Sequence, residues 1–429
     1  MSDLIPDRSF SEKEFWTARP LLEYTKLIAS KRRKSPYALL GWVMVFMLTR
    51  ISYQTSYVSA VGAASLNMLF LISGATGGGK SAARKVALEV FEFEDFGWST
   101  PSPLQAGSGE AIADSFYLKE KTEDEDGKTV WVDQWINPNH CRIFFNDEIS
   151  FHKGKAHQNS STLEATYLSS YSGDALGRVL AGGKGKEVPA GEYRMITVFN
   201  AQPEHDPFRD DSSISSGMPS RLLNLKAMNK NARVDYESTL RTPEPAKFQI
   251  PHFGLRGDRM PSQFRALPEM EAAHAEEDFA ASEGTRELGR SHTLLTRAKI
   301  ACVLAALEGR GYLLIDDWHL AGHLIDHSNL LDDEIKKTLR LAARKQAGHE
   351  GALLGVRQDS AEVSKAAIAF ERVKKNLAKH AEMFGYDLSQ PAKSQANKVA
   401  LSTLRQKISG RDRELVEPAL NKILEEKNA

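Results

Sequence analysis

A chain of 429 residues is long enough for two or three domains, and 41% hydrophobic with 26% charged residues places it among ordinary globular proteins rather than fibrous or disordered ones. Cys141 and Cys302 lie in apolar runs without CxxC spacing, which argues against a disulfide framework or structural zinc site and leaves two core thiols in an expected reducing cytosol. The formal net charge is zero but uneven: residues 336–429 carry 19 Lys and Arg against 11 Asp and Glu, leaving 37 against 45 before them. A basic tail of this kind is either a polyanion contact or a solvated helical face.

Met1 to Pro20 mixes acidic, basic and aromatic residues, unlike a secretory signal, so a cytoplasmic chain with no membrane partner is expected. Residues 1–60 read as a helical N-terminal cap, with Phe15, Trp16, Leu21, Leu22, Tyr24 and Leu27 recurring near the helical period. The apolar stretch Tyr37 to Thr49 has 13 residues, too few to span a bilayer, and fits a buried helix.

Residues 61–240 alternate short apolar runs with helical segments, the pattern of an α/β domain with a largely parallel sheet. Its first strand runs into Gly74-Ala75-Thr76-Gly77-Gly78-Gly79-Lys80-Ser81 and then a helix-forming stretch to Phe91. Gly-x-x-x-x-Gly-Lys-Ser in that context is a P-loop. Its glycines let successive N–H groups turn inward around a phosphate at a helix N-terminus. Lys80 supplies a cation for the β- and γ-phosphates and Ser81 a hydroxyl for Mg²⁺, so ATP and Mg²⁺ are the expected ligands.

The run Arg142 to Glu148 is an apolar strand ending in Asp-Glu, a Walker B pattern. Asp147 is expected to hold the Mg²⁺ shell and Glu148 to polarise the attacking water. A further strand, Tyr193 to Phe199, ends at Asn200, which is either a sensor of the γ-phosphate and water or the start of a turn; Gln202 is a second choice. Arg221, just before the apolar run Leu222 to Leu225, is either an arginine finger for a neighbouring subunit or a surface salt-bridge residue.

Residues 241–285 are Pro-rich, then acidic, and read as a linker or insertion. Residues 286–346 form a helical lid and 360–429 a further helical unit broken at Pro391. His319 and His323, spaced i and i+4, have no companion ligands in sequence and read as structural.

The order Walker A, Walker B ending in Asp-Glu, sensor Asn, then Ser220-Arg221-Leu222 before a strand resembles the AAA+ ATPase core. It is most similar to the helicase branch holding minichromosome maintenance proteins and superfamily 3 helicases, in which a Ser-Arg-Phe element carries the trans-acting finger. The third position departs, with Leu for Phe. Tyr171-Ser172-Gly173-Asp174 and Gln202-Pro203 also resemble phage- and plasmid-borne ATPases found beside primases. The similarity spans about residues 30–345.

That resemblance implies further roles. The glycine-rich turn Leu180 to Pro189 would be a hairpin presenting Lys184 and Lys186 to DNA in a central pore, or else a plain surface loop. Arg297, on a helix whose face holds Leu294, Ala298, Ala301 and Ala305, resembles the lid's sensor Arg, or is a solvent-exposed Arg. The C-terminal unit resembles a winged-helix or helix-turn-helix fold, with Arg405, Lys407, Arg411 and Arg413 at the junction for a DNA backbone; Pro418 must lie in the first turn of its helix or kink it. A helical packing module is the alternative. The implied whole is a ring, expected to be a hexamer, that moves on single-stranded or forked DNA with a primase or other replication partner. An ATP-switched initiator, or an ATPase of defence or protein remodelling, shares the same motifs.

Overall fold

A computed structural model describes residues 8–94, 100–123, 128–136, 140–147, 162–177, 186–229, 231–252, 263–285, 291–380, 397, 402, 405–406 and 410–428. They group into two compact units, Met1–Arg340 and Leu341–Ala429.

The first unit begins with helices α1 (Glu12–Thr17), α2 (Pro20–Lys31) and α3 (Pro36–Leu48). Ser11 and Glu14 form a reciprocal capping box at the start of α1. All 13 residues of α3 are buried, as expected of a helix with no polar face. There follow the hairpin β1 (Ser56–Ser59) and β2 (Gly62–Ser65), then β3 (Met68–Ser73), α4 (Lys80–Val90), β4 (Phe91–Phe93) and α5 (Gly109–Asp114). A second hairpin, β5 (Tyr117–Glu123) and β6 (Thr129–Trp135), precedes β7 (Cys141–Asn146) and a helix α6 at 162–172. The chain continues through β8 (Leu176–Gly177), β9 (Glu187–Val188), β10 (Arg194–Ala201), α7 (Asp211–Ser216), α8 (Met218–Arg221), β11 (Leu222–Lys226), α9 (Ala232–Thr239) and β12 (Phe248–Ile250). It ends in β13 (Gln263–Arg265), α10 (Pro268–Ser282), α11 (Thr293–Ala306) and the long α12 (Ile315–His380), which runs on into the second unit.

The protein is mixed α/β, built on a parallel sheet of order β11-β3-β10-β7. Every residue of β3 and β10 is buried, because helices cover both faces of a parallel sheet. One face packs with α2, α3, α4, α11 and the start of α12; the other packs with α5, α6 and the α12 residues Leu331 and Ile335. The register pairs Phe199 with Asn146, Asn200 with Ile72, and Lys226 with Ser73, so the four carboxyl ends reach one edge together.

Two expectations from composition change. Residues 241–285 are no simple linker: β13 pairs in parallel with β1, and α10 starts with Pro268 at its first turn and buries Met270. Of its acidic residues, Glu276 and Asp278 are exposed, whereas Glu271 accepts the Ala60 N–H. The interval between the expected lid and C-terminal unit, 347–359, is helix, because α12 is continuous from Ile315 to His380.

Three cations are buried among the described residues of the first unit: Arg209, paired with Asp206 and Asp332, and Arg194 and Lys299. Arg194 is 0% exposed and donates to Ser52 O, Thr55 O, Ser65 Oγ and Asn67 Oδ1; burial pushes its guanidinium down to about 10. Lys299, also 0% exposed, donates to Asn67 O and Tyr171 O at 2.9 and 2.6 Å and lies 3.5 Å from the Tyr171 ring centroid. Burial first, then Arg194 and Arg221, holds its ammonium well below the usual lysine range. Cys141 and Cys302 are buried free thiols, both raised above the ordinary range by burial, Cys141 to about 12.

In the second unit a 3₁₀ turn, Gly410–Leu415, leads into the helix Val416–Asn428, with Pro418 in its first turn, where no helical N–H is lost. Among its described residues there is no strand, so a wing is not seen there. Pro391 lies outside the described residues. No described helix is long and apolar enough to cross a membrane.

Candidate functional site

The carboxyl edge of the sheet assembles the site. The glycine loop leaves β3 and re-enters as α4, whose N-cap is Gly79 at φ 82°, a left-handed conformation that a side chain would strain. Gly74 allows close approach: a Cβ there would lie 2.8 Å from Ala227 Cβ. No side chain caps α4, so its first amide groups face the loop, the arrangement that favours anions. The Lys80 ammonium folds back over the loop and donates to the carbonyls of Gly74 and Ala75 at 2.6 and 3.0 Å.

Three side chains from three separate elements meet beside the loop. Ser81 Oγ, in the first turn of α4, donates to Asp147 Oδ1 at 2.6 Å. Asn200 Nδ2, in β10, donates to the same oxygen at 2.7 Å and lies 3.5 Å from Ser81 Oγ. The sheet order explains the meeting: β10 lies between β3 and β7, so it delivers Asn200 between the loop and Asp147. Asn200 is 1% exposed and still paired within the strand, so the turn reading does not describe it. Its Oδ1 is a buried acceptor with no partner among the described residues. Asp147 is exposed, and Glu148, the other half of the Asp-Glu pair, lies outside the described residues.

Arg221 closes α8 just before β11, whose first residue Leu222 lies four residues, about 13 Å along the strand, from Lys226 at the glycine-loop edge. Its Nη1 donates to Ser216 O and Gly217 O at 3.2 and 3.0 Å, and its guanidinium lies 5.8 Å from the Tyr171 ring centroid. It is half-buried, and burial lowers its pKa. The residue is therefore no plain surface salt-bridge Arg; carbonyls and a ring position it. Thr296 Oγ1, which meets Tyr171 Oη at 2.8 Å, also reaches Ser220 O at 3.2 Å, linking α11 to this turn.

The other expected residues are scattered. Arg297 is stacked on Trp318, 3.8 Å from its ring centroid, and donates to Trp318 O at 3.1 Å, so it is not a freely solvated Arg. Its helix α11 buries every residue from Ala298 to Ala306 instead of a single stripe. Lys186 is ion-paired with Asp133 of β6 at 2.9 Å and lies 5.3 Å from the Tyr117 ring centroid. Lys184 lies outside the described residues. Arg405 pairs with Glu417 at 2.9 Å and Arg413 is exposed, whereas Lys407 and the side chain of Arg411 lie outside the described residues.

One residue beside the loop went unnoticed in the sequence. Lys34, between α2 and α3, reaches Gly79: a Cβ built there would lie 3.5 Å from Lys34 Cδ and 3.7 Å from its Nζ. The only local hint was the Lys-Arg-Arg-Lys-Ser-Pro run, in which Ser35 and Pro36 start α3. No protein-family model matches the chain, and no curated protein matches it.

Proposed function

We propose that this chain is a P-loop ATPase of the AAA+ type that assembles as a ring and couples ATP hydrolysis between subunits to movement on DNA. The observation that carries the ATPase reading is the convergence of Ser81, Asp147 and Asn200 beside the uncapped start of α4.

Ser81 Oγ and Asp147 Oδ1 are hard oxygen donors already in contact, which suits Mg²⁺, and they are the residues that would hold it. Bound there, Mg²⁺ would neutralise charge on the phosphates. Lys80 would exchange its Gly74 and Ala75 carbonyls for phosphate oxygens. Asn200, fixed by strand pairing, orients the Asp147 carboxylate and presents polar atoms on the γ-phosphate side, while Glu148 is assigned the attacking water from sequence. Arg221 sits at the end of β11 opposite its own chain's loop, which supports assigning it to a neighbouring subunit's γ-phosphate.

The DNA side of the proposal rests on the basic C-terminal composition and on the loop containing Lys184. The ion pair between Lys186 and Asp133 favours a second reading, in which ATP governs assembly of an initiator without processive unwinding. ATP turnover with and without forked DNA, followed by strand displacement, separates the readings. DNA-stimulated turnover with displacement supports the motor; stimulation without displacement supports the initiator; turnover indifferent to DNA removes both and leaves a remodelling ATPase.

A further inference from the structure

We propose that Lys34 is a second phosphate-binding lysine of the glycine-loop site, contributed by the N-terminal helices; this rests on the nucleotide reading of that site. The backbone around Lys34 is built to hold it. Lys34 N–H donates to Ala29 O at 2.8 Å and Arg33 N–H to Ser30 O at 3.2 Å, the paired bonds of a Schellman ending on α2. The left-handed position of that motif, normally glycine, is Arg33 at φ 54°, a conformation that costs a side-chain-bearing residue energy. On the other side Ser35 caps α3 through Ala38 N–H and donates its hydroxyl to Lys226 O at the end of β11. Lys34 is thus clamped between two helix ends, and its side chain lies against Gly79, the N-cap of α4.

Its neighbours show what is unusual about it. Lys31 donates to the carbonyls of Thr239 and Thr242, Arg32 pairs with Glu89 and Glu244, and Arg33 lies 5.6 Å from the Tyr236 ring centroid. The Lys34 ammonium alone among these four side-chain cations has no hydrogen-bond, ion-pair or ring partner among the described residues. An uncommitted ammonium beside a helix N-terminus that also holds Lys80 adds like charge to like charge, and a polyanion relieves it. The chemical class that fits is a nucleoside di- or triphosphate, a polyanion with several phosphate oxygens for two ammonium groups.

The test is an equilibrium titration of the full chain with ADP and with a non-hydrolysable ATP analogue, each in Mg²⁺, at low and high salt. One charge-assisted hydrogen bond predicts that Lys34→Ala weakens both ligands about tenfold, that Lys34→Arg retains most of the affinity, and that the salt dependence of binding is shallower in Lys34→Ala. The thermal midpoint of the unliganded Lys34→Ala protein is expected to stay close to that of the native protein, because no described side-chain hydrogen bond, ion pair or ring contact is lost. Native affinity in Lys34→Ala overturns the proposal while leaving the site reading intact. A native protein that binds neither nucleotide overturns both.

Discussion

Replacing Asn200 by alanine separates the chemistry of the site from the stability of the fold. In the native chain the Asn200 amide donates to Asp147 Oδ1 at 2.7 Å from a side chain 1% exposed, while its own Oδ1 has no described partner. A hydrogen bond to a charged group contributes about 1.5–3 kcal/mol, and a buried unpaired acceptor costs about 1–3 kcal/mol, so losing both nearly offsets. With a small cavity added, the net loss of stability is expected to stay within about 2 kcal/mol. On the proposed ATPase reading turnover has no such offset, because Asp147 loses one of its two side-chain donors. A loss of about 10- to 100-fold in kcat follows, equivalent to about 1.4–2.7 kcal/mol of barrier. The assay is steady-state ATP hydrolysis beside equilibrium nucleotide binding and urea unfolding of the same variant. Native turnover in Asn200→Ala, or collapse of binding and stability together, refutes the reasoning.

Other outcomes follow from buried groups and from the subunit assignment. His327 stacks on Tyr37 at 3.5 Å and accepts the Lys226 N–H at 3.4 Å, which requires a neutral ring; burial first, then His323 and Lys226, lowers it to about 3. Because the unfolded chain binds this proton near pH 6.5, stability is full above that pH and falls towards pH 3, by up to about 5 kcal/mol, and acid unfolding of His327→Gln should be flatter. Lys299 is also held below its unfolded value, so it makes stability rise as pH climbs towards 10.5. Lys299→Met should abolish that rise and, by stranding the Asn67 and Tyr171 carbonyls, cost about 2 kcal/mol at neutral pH in urea titrations. Arg221→Ala should bind ATP but hardly turn it over, and mixing it with Lys80→Ala protein should restore activity at mixed interfaces; continued inactivity of the mixture counts against the trans assignment.

What the sequence disclosed was what is local. The loop from Gly74 to Ser81 carries its strand, its glycines and its helix start within a short stretch, and β7 and β10 announce themselves as apolar runs. That Ser81 and Asn200 both donate to one oxygen of Asp147 depends on β10 lying between β3 and β7, which strand order alone decides. Lys34 was hidden because its importance comes from a Schellman turn against a loop far along the chain. Lys299 was hidden for the opposite reason: a Lys two residues from Arg297 on the same helix reads as the solvent face, whereas the Tyr171 and Asn67 carbonyls hold it inward. Residues 241–285 read as a linker or insertion because prolines and carboxylates describe solvent exposure and not the absence of structure, and α10 buries only Met270.

The measurement that bears most directly on the central claim is equilibrium binding of a non-hydrolysable ATP analogue, with Mg²⁺, to the native chain and to Lys80→Ala. The account predicts one saturable site per chain, dependent on Mg²⁺ and weakened at least about tenfold by Lys80→Ala. Absence of saturable binding to the native chain, or equal binding by Lys80→Ala, contradicts it.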